Sequence, residues 1–268
     1  MTNSKIMDLS RRVGLMIGCF LVTGGIVLLV NIILVLLHAS NPDLHNPAGG
    51  LRNFGHLITV LGLLAPIAGI MLGATASSSD LSSGVIRHLV ATGVGRRAIF
   101  VSRLLAGLFY IVIFCLIAVG LAALFAEVFA GTANSFSPFG GSFVAQINPS
   151  FPNIYQSFLW VVLQVALGYA LGFGFCAMGV SRSAATGVLI GFQIVALPIL
   201  TNINTWTWLH EIFGGIVSQT LEPSSVAARG SHLSNLIPLN TAGKVVIIGI
   251  WIVIPILLGF ARYHSRDV

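Results

Sequence analysis

Six long runs of mainly apolar residues occupy most of this 268-residue chain. About 20 such residues in a helix cross the hydrocarbon core of a bilayer, where every backbone polar group must be satisfied within the protein. The sequence therefore predicts an all-α membrane protein, one domain over residues 1–268 with six transmembrane helices. We expect these helices at about residues 15–37, 56–76, 98–128, 156–180, 184–200 and 245–261.

Charge is scarce in this chain and is concentrated at the ends of the apolar runs. Charged residues make up 7% of the sequence and the mean hydropathy is +0.97, whereas about a quarter of the residues in soluble domains are charged. The net charge of +6 would suggest nucleic acid as the partner of a soluble protein. Basic residues at the ends of spans instead set orientation, so we predict the lipid bilayer as a partner and no nucleic acid.

The distribution of basic residues predicts the orientation of the six helices. Loops rich in Lys and Arg remain cytoplasmic. The first run is too long for a signal peptide, so we expect it to be retained as a signal anchor. Both termini are therefore expected in the cytoplasm, in the cell (inner or plasma) membrane. Ten of the 13 basic residues then lie inside: Lys5, Arg11, Arg12, Arg87, Arg96, Arg97, Arg103, Arg182, Arg262 and Arg266.

A short amphipathic segment separates the second and third runs. Ser77 to Asp80 offer N-cap side chains, and Gly93 is placed to end a helix in the left-handed conformation. Between them one face is apolar and the other polar, which predicts a cytoplasmic helix at residues 80–92. The apolar face consists of Leu81, Val85, Ile86, Leu89 and Val90, and the polar face of Ser82, Ser83, Arg87 and His88.

The spacing of four residues around this segment matches a known signature. Asp80 is followed by Gly84, twelve residues later by Arg96, and seven residues later by Arg103. Within a six-run hydropathy pattern this resembles the type-2 ATP-binding-cassette exporter permeases, where the segment forms a coupling helix that docks onto the ATPase. Asp80, Val85 and Gly93 depart from the Glu, Thr and Pro that the family often has. The resemblance implies a coupling role for Asp80, Gly84, Val85, Arg87, His88, Leu89, Arg96, Arg97 and Arg103.

The resemblance also implies partners and a kind of cargo. Two permease chains, identical or related, would work with two ATPase subunits and export an amphipathic or hydrophobic substrate. The chain has no phosphate-binding G-x-x-x-x-G-K-[ST] sequence, since Gly243-Lys244 is followed by Val245. ATP and Mg²⁺ would therefore bind to the partner, and we predict no cofactor and no enzymatic activity for this chain. Which face of the coupling helix docks is left open, and so is an ordinary amphipathic loop helix resting on lipid.

Several uncharged residues within the runs point to helix contacts or to a path. Gly168 and Gly172 form a small-xxx-small pair, for which we predict packing within the chain. Cys19, Cys115 and Cys176 lack paired spacing and are predicted to be buried. Five polar side chains either bond helices together or line a substrate path, and the sequence leaves both open: Asn31, Thr59, Gln164, Tyr169 and Gln193.

Residues 201–243 are too interrupted to span the membrane and too apolar for a free loop. Trp206 and Trp208 are typical of the membrane interface, so we predict an external interfacial or re-entrant element before the last span. Pro198 is expected to kink or end the fifth helix. Arg103 is expected to extend its side chain to the interface.

Two other functions remain as alternatives. An intramembrane protease or lipid transferase would need His210, Glu211 and Glu127 to converge. His210-Glu211 lacks the second His of H-E-x-x-H, so we predict no metal site and no catalytic residue. A channel or carrier would work without nucleotide, although the spans lack the midplane charges that ion-coupled carriers use.

Overall fold

The computed structural model describes residues 2–41, 44, 49–82, 93, 95–130, 148–202, 207–223 and 239–265, without the side chains of residues 79–82, 202, 207 and 209. In these ranges the chain is helical, has no strand, and has six helices long and apolar enough to cross a membrane. The predicted all-α architecture with six spans is therefore confirmed. The spans, numbered 1 to 6, are Val13–Ser40, Gly50–Ser78, Arg96–Val128, Phe151–Met178, Arg182–Thr201 and Thr241–Ser265.

Within the described ranges, three shorter helices accompany the spans. An amino-terminal helix, Thr2–Ser10, precedes span 1. Two short helices, Thr207–Ile212 and Gly214–Gln219, lie between spans 5 and 6, and we call them the inserted pair. An element of helical turns thus occupies the place where the sequence predicts an interfacial or re-entrant segment.

Several helices extend beyond the apolar runs from which they were predicted. Span 2 begins at Gly50 and its helix continues to Ser82, and span 4 begins at Phe151. Polar end turns still make i→i−4 backbone bonds, so hydropathy alone underestimates helix length. Ser77 to Asp80 are therefore late turns of the span 2 helix, and the predicted N-cap at this position is wrong. Gly93 has φ +83°, the left-handed conformation predicted for it.

Spans 2 and 4 form the centre of the bundle, and glycines bring their backbones together. Gly69 and Gly73 on span 2 lie against the carbonyls of Val165 and Tyr169. In return Gly168 and Gly172 on span 4 lie against the carbonyls of Pro66 and Ile70. Helices in a membrane associate by such close packing because lipid is as apolar as the helix surface. The predicted packing of Gly168 and Gly172 within the chain agrees with this contact.

Span 6 packs on a different face of span 4, again through glycine. Gly174 lies against the Pro255 carbonyl, and a Cβ on Gly259 would come 2.7 Å from the Ala177 Cβ. Span 1 approaches span 2, where Cys19 Sγ is 3.8 Å from the Ala68 carbonyl oxygen. Spans 2 and 4 are mainly buried, whereas spans 1, 3, 5 and 6 present broad apolar faces outward. All three cysteines are free and buried, as predicted.

Spans 1 and 5 each contain one π-helical turn near the middle, at Leu21–Gly25 and Phe192–Ala196. The turn in span 5 directly precedes the segment that holds Pro198. The helix continues past this proline to Asn202, so Pro198 does not end it. A wider turn accommodates the backbone carbonyl that a proline leaves without its helical N–H.

Contacts between chain ends define one end of the bundle. Arg96 Nη1 at the start of span 3 donates to the His264 carbonyl at the end of span 6, at 3.0 Å. Tyr110 Oη, near the middle of span 3, donates to the Ile6 carbonyl at 2.8 Å, which holds the amino-terminal helix against this span. We call this the linker end, because the segment between spans 2 and 3 leaves and re-enters here. Because six spans alternate in direction, spans 1, 3 and 5 begin and spans 2, 4 and 6 end on this side.

Candidate functional site

Among the described residues, Arg103 is the most deeply buried charged residue at the linker end. Its side chain is 3% exposed, although it lies only two turns into span 3. Its Nη1 donates to the Ser77 carbonyl on span 2 at 3.3 Å, and its guanidinium carbon lies 5.8 Å from the ring centroid of Tyr263 on span 6. The prediction that Arg103 extends to the interface is wrong, because a carbonyl and an aromatic ring hold it inside the protein.

Aromatic rings surround this arginine. The Phe100 centroid is 5.7 Å from that of Tyr263 and 5.1 Å from that of Phe173 on span 4. Tyr169 Oη, also on span 4, donates to the carbonyls of Arg103 and Leu104 at 3.3 and 3.0 Å. The first turns of span 3 therefore contact spans 2, 4 and 6. We call the following residues the joint: Ser77, Arg96, Phe100, Arg103, Tyr263 and His264.

The predicted coupling residues fall into two groups. Arg96 and Arg103 belong to the joint, and Arg97 is exposed beside them at the start of span 3. Asp80 lies in the last turn of the span 2 helix. The other members lie outside the described residues, so the predicted coupling helix remains a prediction: Gly84, Val85, Arg87, His88 and Leu89.

The inserted pair reaches the middle of the bundle. Trp160 Nε1 on span 4 donates to the Ser218 carbonyl at 2.8 Å, and Ser218 Oγ donates to Gln164 Oε1 at 2.9 Å. Trp251 Nε1 on span 6 donates to the Ile212 carbonyl at 2.7 Å. Gln164 and Trp251 are near the midpoints of their helices, roughly 15–20 Å from the helix starts at 1.5 Å per residue. The element is therefore inserted between the spans and does not rest on the bundle surface.

Two further polar contacts attach this element to spans 2 and 5. Thr59 Oγ1 on span 2 donates to the Glu222 carboxylate, which follows the second short helix. His210 is 1% exposed, and its Nε2 lies 2.7 Å from the Leu200 carbonyl oxygen on span 5. His210 is thus a buried residue that holds the first short helix against span 5.

The five polar residues proposed for a substrate path all lie in contacts between elements or in the bundle interior. Gln164 binds Ser218 in the inserted pair and Thr59 binds Glu222 just after it, so the structure brings both to one part of the chain. Gln193 Nε2 donates to the Leu63 carbonyl on span 2 at 2.9 Å, and Tyr169 belongs to the surroundings of the joint. Asn31 is 3% exposed within span 1.

The residues needed by an intramembrane enzyme do not come together. Glu127 is exposed in the last turn of span 3, and His210 is bound to span 5. In the part of the chain that the structure describes, no hydrogen bond or ion pair joins Glu127 to His210 or Glu211. The intramembrane-enzyme alternative requires these three groups to converge, and the described residues do not bring them together.

Comparison with known families decides the class of this six-span bundle. The profile of the ABC-2 family transporter protein matches residues 6–268. The chain belongs to the ABC-2 transporter family. This ABC-2 protein is therefore the membrane-spanning subunit of an ABC transporter, and membership implies association with ATPase subunits in a membrane. A comparison with curated proteins finds no similar sequence.

Sequence reasoning missed several residues that organise this ABC-2 subunit. Gly69 and Gly73 have the same small-xxx-small spacing as Gly168 and Gly172, so this pattern could have identified both sides of the central contact. Tyr263 follows the last apolar run, and nothing in its neighbourhood marks it as a partner of Arg103, 160 residues earlier. The contact of Trp160 with Ser218 likewise joins residues that are 58 positions apart, and no local pattern in the sequence marks them as partners.

Proposed function

We propose that this chain is the permease half of an ATP-driven exporter of amphipathic or hydrophobic cargo. A separate ATPase binds ATP and Mg²⁺, and its movement reaches the permease through residues 80–92. Family membership carries the proposal, because it places the chain in an ABC transporter. The joint supports it, since both helices that flank the predicted coupling segment are fixed at one end of the bundle.

The spans themselves favour an uncharged or amphipathic cargo. Span 3 carries Arg96, Arg97 and Arg103 in its first turns and Glu127 in its last turn, so the stretch between Arg103 and Glu127 is uncharged. A strongly ionic substrate would need polar or charged partners in a low-dielectric interior. Two permease chains, identical or related, enclose the path in this proposal. In this proposal the inserted pair closes the path towards the outside. Gln164 holds the pair in place directly, and Thr59 holds it through Glu222.

Variants of the predicted coupling helix test the proposal on the full complex. The wild-type chain and each variant are co-expressed with the ABC ATPase under test. Co-purification of the ATPase and ATP hydrolysis in lipid are then measured. We expect Gly84→Pro to break the helix and abolish association. If the apolar face docks, Leu89→Ala removes roughly 1–3 kcal/mol of apolar burial and weakens association. If the polar face docks, Arg87→Glu weakens it by charge reversal.

Matched controls separate coupling from general damage. Leu36→Ala removes the same side chain from a lipid-facing position that is 61% exposed, and Arg52→Glu reverses charge at the opposite end of span 2. Both should leave association and ATP hydrolysis unchanged. A complex in which all three coupling variants retain the ATPase and hydrolyse ATP normally would remove the main support for an exporter. Activity without nucleotide would instead indicate a channel or carrier.

A further inference from the structure

We infer that span 6 is a lever that carries movement from the segment between spans 2 and 3 to the inserted pair. Arg103 and Tyr263 are its positioning residues at the joint. The inference rests on the proposed function, because the movement begins at an ATPase that docks on that segment. It adds a route through the membrane domain and assigns a role to the last turn of span 6.

The first step is the contact between the start of span 3 and the end of span 6. Arg96 Nη1 donates to the His264 carbonyl at 3.0 Å, and the Arg103 guanidinium lies over the Tyr263 ring at 5.8 Å. Phe100 packs between them, with its centroid 5.2 Å from that of Phe260 and 5.7 Å from that of Tyr263. Displacement of the start of span 3 therefore displaces the last two turns of span 6.

The buried charge of Arg103 makes this contact between spans 3 and 6 specific. A cation removed from water is costly unless polar groups and an aromatic face replace its hydration. At 3% exposure Arg103 has the Ser77 carbonyl on span 2 and the Tyr263 ring on span 6 among its partners. Separation of spans 3 and 6 would expose this charge to an apolar interior. The two helices therefore move together, with span 2 attached at Ser77.

The second step is a fixed crossing point farther along span 6. Gly174 on span 4 lies against the Pro255 carbonyl, and Gly259 lies against the Gly174 carbonyl and the Ala177 Cβ, so the two helices meet here with no flexible side chain between them. Span 4 is itself held by the glycine contacts with span 2. Because close-packed interiors do not deform continuously, tilting at Tyr263 turns span 6 about this crossing.

The third step is the attachment of the other arm of span 6 to the inserted pair. Trp251 lies beyond the crossing, about 18 Å from Tyr263 along a helix that rises 1.5 Å per residue. Its Nε1 donates to the Ile212 carbonyl at 2.7 Å, and a Cβ on Gly214 would lie 2.7 Å from the Trp251 Cγ. Ile212 and Gly214 belong to the two helices of the pair. Movement of Trp251 therefore reaches both of them.

Spin labels on the full complex of chain and ATPase test the lever. Buried Cys19, Cys115 and Cys176 are replaced by Ala, and single cysteines are introduced at exposed Ser183 and Ser265, where spans 5 and 6 meet the linker end. On binding of a non-hydrolysable ATP analogue we expect the distance between the labels to shift by about 2–5 Å, the size of helix displacements in switching proteins. Amide exchange over residues 207–222 should change about fivefold or more.

Four variants identify the residues that carry the movement. Tyr263→Leu should abolish both nucleotide-dependent changes, whereas Tyr263→Phe keeps the ring and should retain them. Trp251→Phe should retain the distance shift and lose the change in exchange. Phe114→Leu removes a buried ring from span 3 away from the joint and should preserve both. These differences between nucleotide states would not follow from a loss of stability alone.

Each outcome decides between the lever and the proposed function. Retention of both changes in Tyr263→Leu overturns the lever. If that variant does not insert into the membrane, the lever is tested with Tyr263 left unchanged. It is overturned if the distance between the labels at Ser183→Cys and Ser265→Cys does not change on nucleotide binding. If no ATPase co-purifies with the wild-type chain, the proposed function fails, and the lever fails with it.

Discussion

Four glycines determine how closely the two central helices approach, and Gly172 shows this most directly. A Cβ at this position would lie 2.5 Å from the Ile70 carbonyl oxygen, a backbone atom that cannot move alone. We expect Gly172→Ala to lower the free energy of unfolding by about 1–3 kcal/mol, the usual cost of overpacking a core. Thermal or denaturant unfolding in detergent measures the change.

Gly120→Ala is the matched control for this substitution. Gly120 also lies inside a span, but a Cβ added there meets no atom within 4 Å in the described structure. Alanine is favoured over glycine in a helix by about 1 kcal/mol, so Gly120→Ala should be neutral or stabilising. A loss of stability at Gly120 equal to that at Gly172 would contradict the assignment of the central contact.

Sequence reasoning was accurate for residues whose surroundings follow from neighbours along the chain. Gly93 adopts a left-handed φ and the three cysteines are buried, because local pattern and apolar context determine both. It was wrong for Arg103, whose position near the end of a run suggests extension to the interface. Its partner Tyr263 lies on span 6, and hydropathy carries no information about such a pairing.

At the scale of the element, the inserted pair depends on a few hydrogen bonds to the spans. Trp160→Phe removes the indole donor to the buried Ser218 carbonyl, which keeps the Leu221 N–H at 3.2 Å but loses its bond to span 4. Loss of one such hydrogen bond costs about 0.5–1.5 kcal/mol. Amide exchange over residues 214–222 should therefore accelerate by about two- to tenfold, measured by mass spectrometry in lipid.

Trp208 provides a comparison within the same element. Its side chain is 58% exposed, so Trp208→Phe should leave exchange over residues 214–222 unchanged. Equal acceleration in both variants would indicate that the element responds to any tryptophan loss, and the role given to the Trp160 bond would be wrong.

The ends of elements were the least predictable feature from sequence. Hydropathy placed span 2 at residues 56–76, whereas its helix runs from Gly50 to Ser82. The extra turns at both ends are partly polar, and they remain helical because helix propagation needs no apolar side chain. The existence of an element before span 6 could be predicted from its aromatic residues. Its depth could not, because Trp160 and Trp251 bind it from distant parts of the chain.

For the whole molecule, orientation in the membrane is the property to measure. The structure puts the joint and the end of span 6 at one end, and the excess of basic residues predicts that this end faces the cytoplasm. In a cysteine-free background, Ser150→Cys before span 4 should react with an impermeant thiol reagent from outside. Ser265→Cys should react only after the membrane is opened. Both positions are exposed in the structure.

The opposite labelling pattern would place the joint outside the cell. An ATPase could then never reach the segment between spans 2 and 3. The architecture with six spans followed from sequence alone, because the bilayer restricts a chain of such runs to helices. The arrangement of spans did not follow, since it depends on which glycine faces meet.

The central pair also constrains how the protein is made. Span 4 is synthesised after span 2, with span 3 and residues 129–150 between them. Until span 4 is inserted, Gly69 and Gly73 on span 2 therefore lack the helix against which they pack. A nascent chain that stops at Ala130 has three inserted helices and lacks the surface on which span 2 closes. Such a product is expected to be a substrate for membrane quality-control proteases, and commitment to the native fold comes only when span 4 leaves the insertion machinery.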